Sequence, residues 1–419
     1  GCNDARGDQC DNCGHTLDPT QLIAPRCRLC GSVSSAIEIR ITEHFFLDLP
    51  KLEPLLLDWL QQSKDHWRPN TVNFALNWIK EGLRPRAITR DLDWGVPVPV
   101  PGFEDKRIYV WFDAVIGYFS ASVEWAHNLG EPDAWRKWWI RSSDNVEPSR
   151  SYYFIGKDNI PFHTIIWPAM LLGYSGLTLP YDVPANEFMT MGGFKASSSR
   201  GNVIWTTDVL DQYGPDPLRY YLASTMPEGH DTDFTYDELV RRNNDELVAT
   251  YGNAAHRVLT FLQRNFEGNV PEPGPLSAAD EAMLAEVRRG FEAEAAAIEA
   301  VRLREGLAEA MSVARAANRY LDERAPWKRI KTDRQGTATT VNTMIQVLNG
   351  LKVLFAPYVP FSSQKLHELL GFSGDVTEVG WRFESVPAGR VLPAPTPLVT
   401  KFEAPVAPVG GARLSSVRE

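Results

Sequence analysis

Apolar residues recur at helical spacing through most of this chain. Leu55, Leu56, Trp59 and Leu60 fall on one face of a segment running from Leu52 to Gln62, and the pattern predicts a helix there. Val72 to Glu81 predicts a second, stopped by Gly82. The pattern then changes. Arg107-Ile108-Tyr109-Val110-Trp111-Phe112-Asp113-Ala114 is continuously apolar at its centre and predicts a buried strand running into a turn, with an apolar helix from Val115 to Ala126 behind it. A second unit repeats the order. Ser151 to Ile155 reads as a strand, Gly156-Lys157-Asp158-Asn159 as a turn, and Ile160 to Leu172 as a helix with Pro161 in its first turn, where proline is tolerated. Strand, glycine turn, helix is the α/β nucleotide-binding arrangement, with ligands at the carboxyl ends of the strands against a helix N-terminus.

Helices dominate the rest. Asp216 to Leu222 predicts a short one, and Tyr236 to Phe266 a long helix or helix pair with Arg241, Arg242, Arg257 and Arg264 set among leucines and valines. Val270-Pro271-Glu272-Pro273-Gly274-Pro275 is a breaker. Ala278 to Arg324 and Thr339 to Phe355 resume helical spacing, which together predicts a helical bundle. From Gly371 on, glycine and proline rise and the periodicity fades; Pro405 to Glu419 reads as a flexible tail. The fold expected is therefore α/β followed by all-α.

Length adds a bound: 419 residues suggest three domains, at roughly 100–200 residues each. A hydrophobic content of 43% suffices for real cores. No apolar run is long enough to span a bilayer and no signal peptide opens the sequence, so no membrane partner is expected. The net charge of −10 argues against wholesale coating of nucleic acid but leaves room for a local basic face. All five cysteines (Cys2, Cys10, Cys13, Cys27 and Cys30) lie at one end, which excludes a disulfide-stapled secreted protein and points to a cytoplasmic one with a single metal-binding region. The chain opens at Gly1-Cys2, inside what reads as a metal module, and is expected to be a piece lacking its N-terminal part.

Three stretches carry candidate chemistry. Cys10-Asp11-Asn12-Cys13-Gly14 and Cys27-Arg28-Leu29-Cys30-Gly31 are two C-x2-C turns, which together supply the four sulfurs that structural Zn²⁺ prefers. Gly192-Gly193-Phe194-Lys195-Ala196-Ser197-Ser198-Ser199-Arg200-Gly201 sets hydroxyls between Lys195 and Arg200 and reads either as a mobile anion-binding loop or as a serine-rich surface loop. Arg84 to Gly95 mixes cations and acids between prolines and glycines and reads as an ion-paired turn. Trp111, Tyr118 and His163 follow predicted strands, where aromatics line pockets or fill cores.

These residues, in this order, resemble the methionyl-tRNA synthetase family of class I aminoacyl-tRNA synthetases. The likeness runs from Cys2 to about residue 385. Its landmarks are Ala5-Arg6-Gly7-Asp8-Gln9-Cys10, Glu43-His44-Phe45-Phe46, Trp111-Phe112-Asp113-Ala114, Gly156-Lys157-Asp158, Phe162-His163, Trp167-Pro168-Ala169-Met170 and the lysine-serine loop. The resemblance implies activation of methionine by ATP with Mg²⁺, then transfer to tRNA(Met); no added C-terminal domain is visible, so a monomer is expected. It implies a methionine pocket walled by Trp111, Ala114, Val115, Tyr118, Asn159 and His163. It also implies an adenosine-binding turn at Gly156 and Asp158, and a signature loop from Lys195 to Ser199 on the ATP phosphates. Lys195, Ser198 and Arg200 would act in catalysis and Ser197 in phosphate binding. Asn253, Arg257 and Trp327 would read the anticodon. The implied layout is a zinc-bearing connective insertion over 1–108, the second half of a Rossmann-type catalytic domain over 109–187, a signature-loop and stem-contact region over 188–235, a helical anticodon-binding domain over 236–385 and a tail over 386–419.

The sequence departs from the family pattern in several places. The histidine-bearing first signature is absent, Ser198 stands where a second lysine is common, and Asn159 stands where some members carry an apolar residue. In the family, cysteine pairs interleave, so that Cys10 and Cys13 share a zinc with the Cys2 pair while Cys27 and Cys30 join an earlier pair. That competes with one four-cysteine site, and both pairings stay open. Two other functions remain as alternatives: a class I synthetase for another apolar amino acid, and a non-catalytic tRNA-binding or zinc-scaffold protein on the same fold.

Overall fold

The structure is a computed structural model that describes residues 17, 19–27, 30, 31, 33, 37–62, 64–140, 149–195 and 204–403. The chain divides into two compact units, Gly1–Ala185 and Asn186–Glu419.

The first unit is built from helices with small strand pairs at their ends. Strand β1 (Phe46–Leu47) leads into α1 (Leu49–Gln61), which starts earlier than the apolar pattern indicates because Pro50 occupies its first turn. Helix α2 is Pro69–Lys80. Strand β2 (Arg86–Ala87) pairs antiparallel with β1, and β3 (Thr89–Asp91) with β4 (Lys106–Ile108). Arg84 to Gly95 is thus largely a strand-bearing connection: Lys106 Nζ donates to Asp91 Oδ1 at 2.6 Å across the second pair.

The strand expected over Arg107–Ala114 is not formed as such. It ends at Ile108, and α3 runs from Val110 to Asn128. Tyr109 is extended (φ −68°, ψ 128°) and its carbonyl accepts from the amides of Phe112 and Asp113, at 2.9 and 3.3 Å, which opens the helix. Trp111 and Phe112 are therefore helical residues, and their apolar run reflects packing against a second helix. After α4 (Arg136–Trp139), the strand expected from Ser151 is reduced to β5 (Ile155–Gly156). Tyr152 nonetheless pairs in parallel with Asp182, and Tyr153 N–H donates to Asp182 O at 3.0 Å. The expected helix follows over 160–174. Its first part, Phe162–Ile166, has the wider i→i+5 turn, and α5 (Trp167–Tyr174) completes it. Leu56, Trp59, Ile79, Phe112, Val115, Ile165, Ile166 and Trp167 form one core. The chain leaves this unit through β6 (Ala185–Asn186).

The second unit opens on a three-stranded sheet of order β8-β7-β9, with β7 Met189–Met191, β8 Phe194–Lys195 and β9 Thr232–Phe234. Helices α6 (Thr206–Tyr213) and α7 (Pro215–Ser224) lie between β8 and β9 in sequence. Helix α8 (Tyr236–Arg241) continues without a break through wide turns at Arg242–Gly252 into α9 (Asn253–Phe266). The bundle continues with α10 (Ala278–Glu299), α11 (Leu303–Arg324), the short α12 (Pro326–Arg329), α13 (Arg334–Phe355) and α14 (Pro360–Leu369).

Helix α13 is the bundle's centre. It is buried on every side from Thr337 to Ile345 and from Val347 to Phe355, as a helix enclosed by other helices must be. Three of its threonines fit because their hydroxyls bond back to the preceding turn: Thr337 to Asp333 O at 2.8 Å, Thr339 to Gln335 O at 3.1 Å and Thr340 to Gly336 O at 3.0 Å. Gly350 lets α10 approach, since a Cβ there would stand 2.5 Å from Val287 Cγ2's twin methyl, Cγ1. Ser277 and Asp280 form a reciprocal cap on α10, and Tyr320 of α11 donates to the same Asp280. Residues after α14 remain packed: Val386, Leu392 and Leu398 belong to the bundle core. The segment from Pro405 onward lies outside the described residues.

One core group carries a cost. Glu294 of α10 is fully buried, and neither carboxyl oxygen has a hydrogen-bond partner among the described residues. Burial, aided by the nearby Glu309, pushes its pKa up from 4.5 to about 9. The folded state therefore holds a proton that the unfolded chain releases above 4.5, so this group's contribution to stability falls as pH rises from about 4.5 towards 9. Glu294→Gln removes that slope. Thermal melts should show the variant gaining on wild type as pH rises from 5 to 8.5, by up to about 1.4 kcal/mol per unit. A constant difference across that range would contradict the assignment.

Candidate functional site

In the first unit, Trp111, Ala114, Val115 and Tyr118 stand at i, i+3, i+4 and i+7 of α3, so they share one face. That face meets the helix of 160–174, whose His163 lies one turn after Asn159 in the preceding tight turn. Trp111 stacks on Phe162 with ring centroids 4.8 Å apart and planes 18° from parallel. Val115 and His163 are buried, whereas Trp111 and Tyr118 keep 38% and 41% of their surface exposed. The rings thus form a cluster that is buried on one side and exposed on the other.

Hydrogen bonds fix its chemistry. His163 Nδ1 lies 2.9 Å from Asn159 O, and a carbonyl can only accept, so Nδ1 carries the ring's proton. Nε2 is then a bare acceptor, 2.8 Å from Tyr118 Oη, and the phenol donates to it. Burial lowers the His163 pKa, opposed by the bond to Asn159, and burial raises that of Tyr118. Both groups are therefore neutral near pH 7. Tyr153 supports them: its ring packs edge-on to Tyr118 at 5.0 Å, and its hydroxyl accepts from Trp167 Nε1 at 3.1 Å. Tyr153 is given no site role by the sequence, where its only signal is an aromatic run, and Trp167 enters there only as part of the Trp167-Pro168-Ala169-Met170 landmark.

Gly156 and Asp158 form the turn before this helix. Lys157–Asn159 is a tight helical turn, and a Cβ on Gly156 would come within 2.9 Å of Asp158 Oδ1. Only glycine leaves that carboxylate its position. Asn159 Nδ2 donates to Asp158 Oδ1 at a long 3.4 Å, so the side chain that departs from the family pattern contacts the turn.

In the second unit, Lys195 ends β8; its backbone is described. Ser197, Ser198 and Arg200 lie outside the described residues, as do Cys2, Cys10 and Cys13. Cys27 and Cys30 lie within them. Gly31 (φ 72°) donates its amide to Cys27 O at 2.9 Å, the tight turn that a C-x2-C metal knuckle uses. Among the described residues, no three histidine, cysteine or carboxylate side chains gather into a metal-binding group.

The bundle brings its three candidates together. Arg257 stacks its guanidinium over Trp327 at 4.8 Å and pairs with Asp322 Oδ1 at 2.6 Å. Asn253, one turn earlier on α9, donates to Asn318 Oδ1 at 3.2 Å. Trp327 keeps 41% of its surface exposed, above a recess floored by Val258, Phe261, Leu321 and Met344. Asn318 and Asp322 on α11 are the residues the sequence reading missed; their four-residue spacing, facing that of Asn253 and Arg257, was the available signal.

Known proteins divide the chain later than its two compact units do: residues 1–259 match the family model described as tRNA synthetases class I (M), and residues 270–407 match the anticodon binding domain of methionyl tRNA ligase. A methionine–tRNA ligase of Roseiflexus castenholzii is 51% identical over 428 residues, covering 95% of this chain and 72% of that protein. One from Chloroflexus aggregans is 49% identical over 461 residues, covering 99% and 75%. Among solved structures, Mycobacterium tuberculosis methionyl-tRNA synthetase bound by methionyl-adenylate superposes with a TM-score of 0.78 at 27% identity, covering 92% of this chain and 75% of that one.

The buried imidazole gives a direct check on the pocket. ¹⁵N NMR should find His163 as the Nδ1–H tautomer, titrating below the ordinary value of 6.5. An Nε2–H tautomer, or a midpoint at or above that value, would overturn the hydrogen-bond assignment.

Proposed function

The chain belongs to the class I methionyl-tRNA synthetase family, with its catalytic domain followed by a helical anticodon-binding domain, and on that premise we propose that it is a methionine–tRNA ligase. In the first step a methionine carboxylate oxygen attacks the α-phosphorus of ATP, which enters as its Mg²⁺ complex; the bond to pyrophosphate breaks and methionyl-adenylate forms. In the second, a terminal hydroxyl of tRNA(Met) attacks the adenylate carbonyl, AMP leaves and the methionyl ester remains. No protein nucleophile is needed, because positioning and electrostatics carry both steps.

The observation that carries this reading is the neutral Tyr118–His163–Asn159 hydrogen-bond chain beside Trp111; we take Trp111, Ala114, Val115, Tyr118, Asn159 and His163 as the wall of a methionine hollow. Methionine offers a flexible, polarizable thioether that packs well against rings. With the His163 proton committed to Asn159 and the Tyr118 proton to His163, the hollow presents no cation or anion to the side chain. Charged amino acids would be desolvated there without a partner. Gly156 and Asp158 would hold the adenosine. Lys195, Ser197, Ser198 and Arg200 would meet the phosphates, with Lys195 and Arg200 stabilising the charge that grows on pyrophosphate. Asn253, Arg257 and Trp327 would read the anticodon, the indole stacking on an unpaired base while Asn and Arg reach its edge.

Structural zinc belongs to the same proposal. Cys2, Cys10, Cys13, Cys27 and Cys30 would hold it in the connective insertion, a reading supported by the bond from Gly31 N–H to Cys27 O. Cysteine usage supports a cytoplasmic protein; we take it to act as a monomer. No described helix is long and apolar enough to cross a membrane.

Three measurements test the proposal. ATP–pyrophosphate exchange should depend on methionine and not on leucine, isoleucine, valine or cysteine. Exchange driven by another amino acid would reassign the substrate, and tRNA binding with no exchange would leave a binding scaffold. Trp327→Ala should keep exchange, which never involves the anticodon, while charging of tRNA falls by about 1–3 kcal/mol in transition-state binding. Equal loss of both, with a lowered melting temperature, would make Trp327 a packing residue only. Elemental analysis should find stoichiometric zinc that decreases in Cys27→Ser with Cys30→Ser; freshly purified protein without zinc would remove the metal from the account.

A further inference from the structure

The hairpin that presents Lys195 is held by a carboxylate from a different strand. β7 and β8 are joined by Gly192 and Gly193, both at positive φ (59° and 81°), the geometry of a tight two-residue hairpin turn. Thr190 stands directly across from Lys195 in that hairpin and directly beside Asp233 in the parallel pairing of β7 with β9. Asp233 Oδ1 accepts from Thr190 Oγ1 at 2.5 Å and from Gly193 N–H at 2.8 Å. One oxygen thus ties the middle strand to the turn. Asp233 is itself fixed through its backbone: its carbonyl accepts at 2.9 Å from the hydroxyl of Tyr221, which is fully buried on α7.

We propose that Asp233 is a positioning residue for adenylate formation, setting the height and direction of the β8 backbone at Lys195. The inference rests on the reading of Lys195 as a phosphate-binding cation. Nothing else in the two hydrogen bonds requires a charge at position 233, but both require an acceptor. The turn amide of Gly193 would otherwise bond to water, and its two glycines would then give β8 little to hold its angle. A displacement of about 1 Å at the base of a catalytic group can cost about 100-fold in rate.

The test is a set of variants in ATP–pyrophosphate exchange with the whole protein. Asp233→Ala should lower kcat by about 10- to 100-fold, with methionine affinity in the absence of ATP and the melting temperature both near wild type. Asp233→Asn keeps an acceptor oxygen and should recover most of the rate. Because Asp233 acts only through Lys195, the double variant Asp233→Ala with Lys195→Ala should be no slower than Lys195→Ala alone. Multiplied losses in the double variant, a fall in methionine affinity matching the fall in kcat, or a wild-type rate in Asp233→Ala would overturn the proposal. A wild-type rate in Lys195→Ala would instead overturn the phosphate-binding reading beneath it.

Discussion

The imidazole of His163 can keep only one proton in its buried position, and the Asn159 carbonyl decides which nitrogen carries it. From that follows the direction of the Tyr118 hydroxyl, which donates to Nε2, and on it rests the proposed choice of a neutral side chain. The two helices behave as one device. α3 contributes a face at helical spacing, and the wide turns at Phe162–Ile166 change the pitch of its partner where His163 sits. Wide turns of this kind cost helix regularity and are frequent where a side chain must be aimed.

The second unit solves a different problem. It holds an exposed tryptophan and an arginine stacked on it, Trp327 and Arg257, on a stiff frame; under the proposed function a base would meet them there. Stiffness comes from α13, enclosed on all sides, and from Asp216 at the start of α7. The buried Asp216 carboxylate accepts from Phe361 N–H and Ser362 N–H, capping α14, while Arg219 donates to Pro357 O and Tyr358 O. Within this unit, the helices that follow the signature loop are thereby tied to the end of the central helix. Arg257 is exposed enough to be solvated, but its stacking on Trp327 and its bond to Asp322 restrict the rotamers it must give up on binding.

Much of this was legible in the chain. The long helices α10 and α11 were visible because their alanines, leucines and valines keep helical spacing, and the break between them falls at Val301, whose φ is 56°. The start of α3 was misread because Val110, Trp111 and Phe112 are adjacent apolar residues, a pattern that a buried strand and a buried helix share. The helix α14 gave little signal, since its serines are buried and its leucines few. Trp111, Tyr118, His163, Asn253, Arg257 and Trp327 were picked out by family resemblance; spacing alone did not separate them from core aromatics and surface cations. Asp233 had no signal in the sequence, because its role depends on a parallel pairing between strands some forty residues apart.

The proposed function depends on recognition of methionine by Tyr118 and His163. Calorimetric titration of Tyr118→Ala and His163→Ala, with methionine and with ATP separately, addresses this most directly. The account predicts methionine affinity weakened by roughly 1–3 kcal/mol with ATP affinity near wild type. Equal weakening of both ligands would mean that the two residues only support the fold, and unchanged methionine affinity would place its site elsewhere.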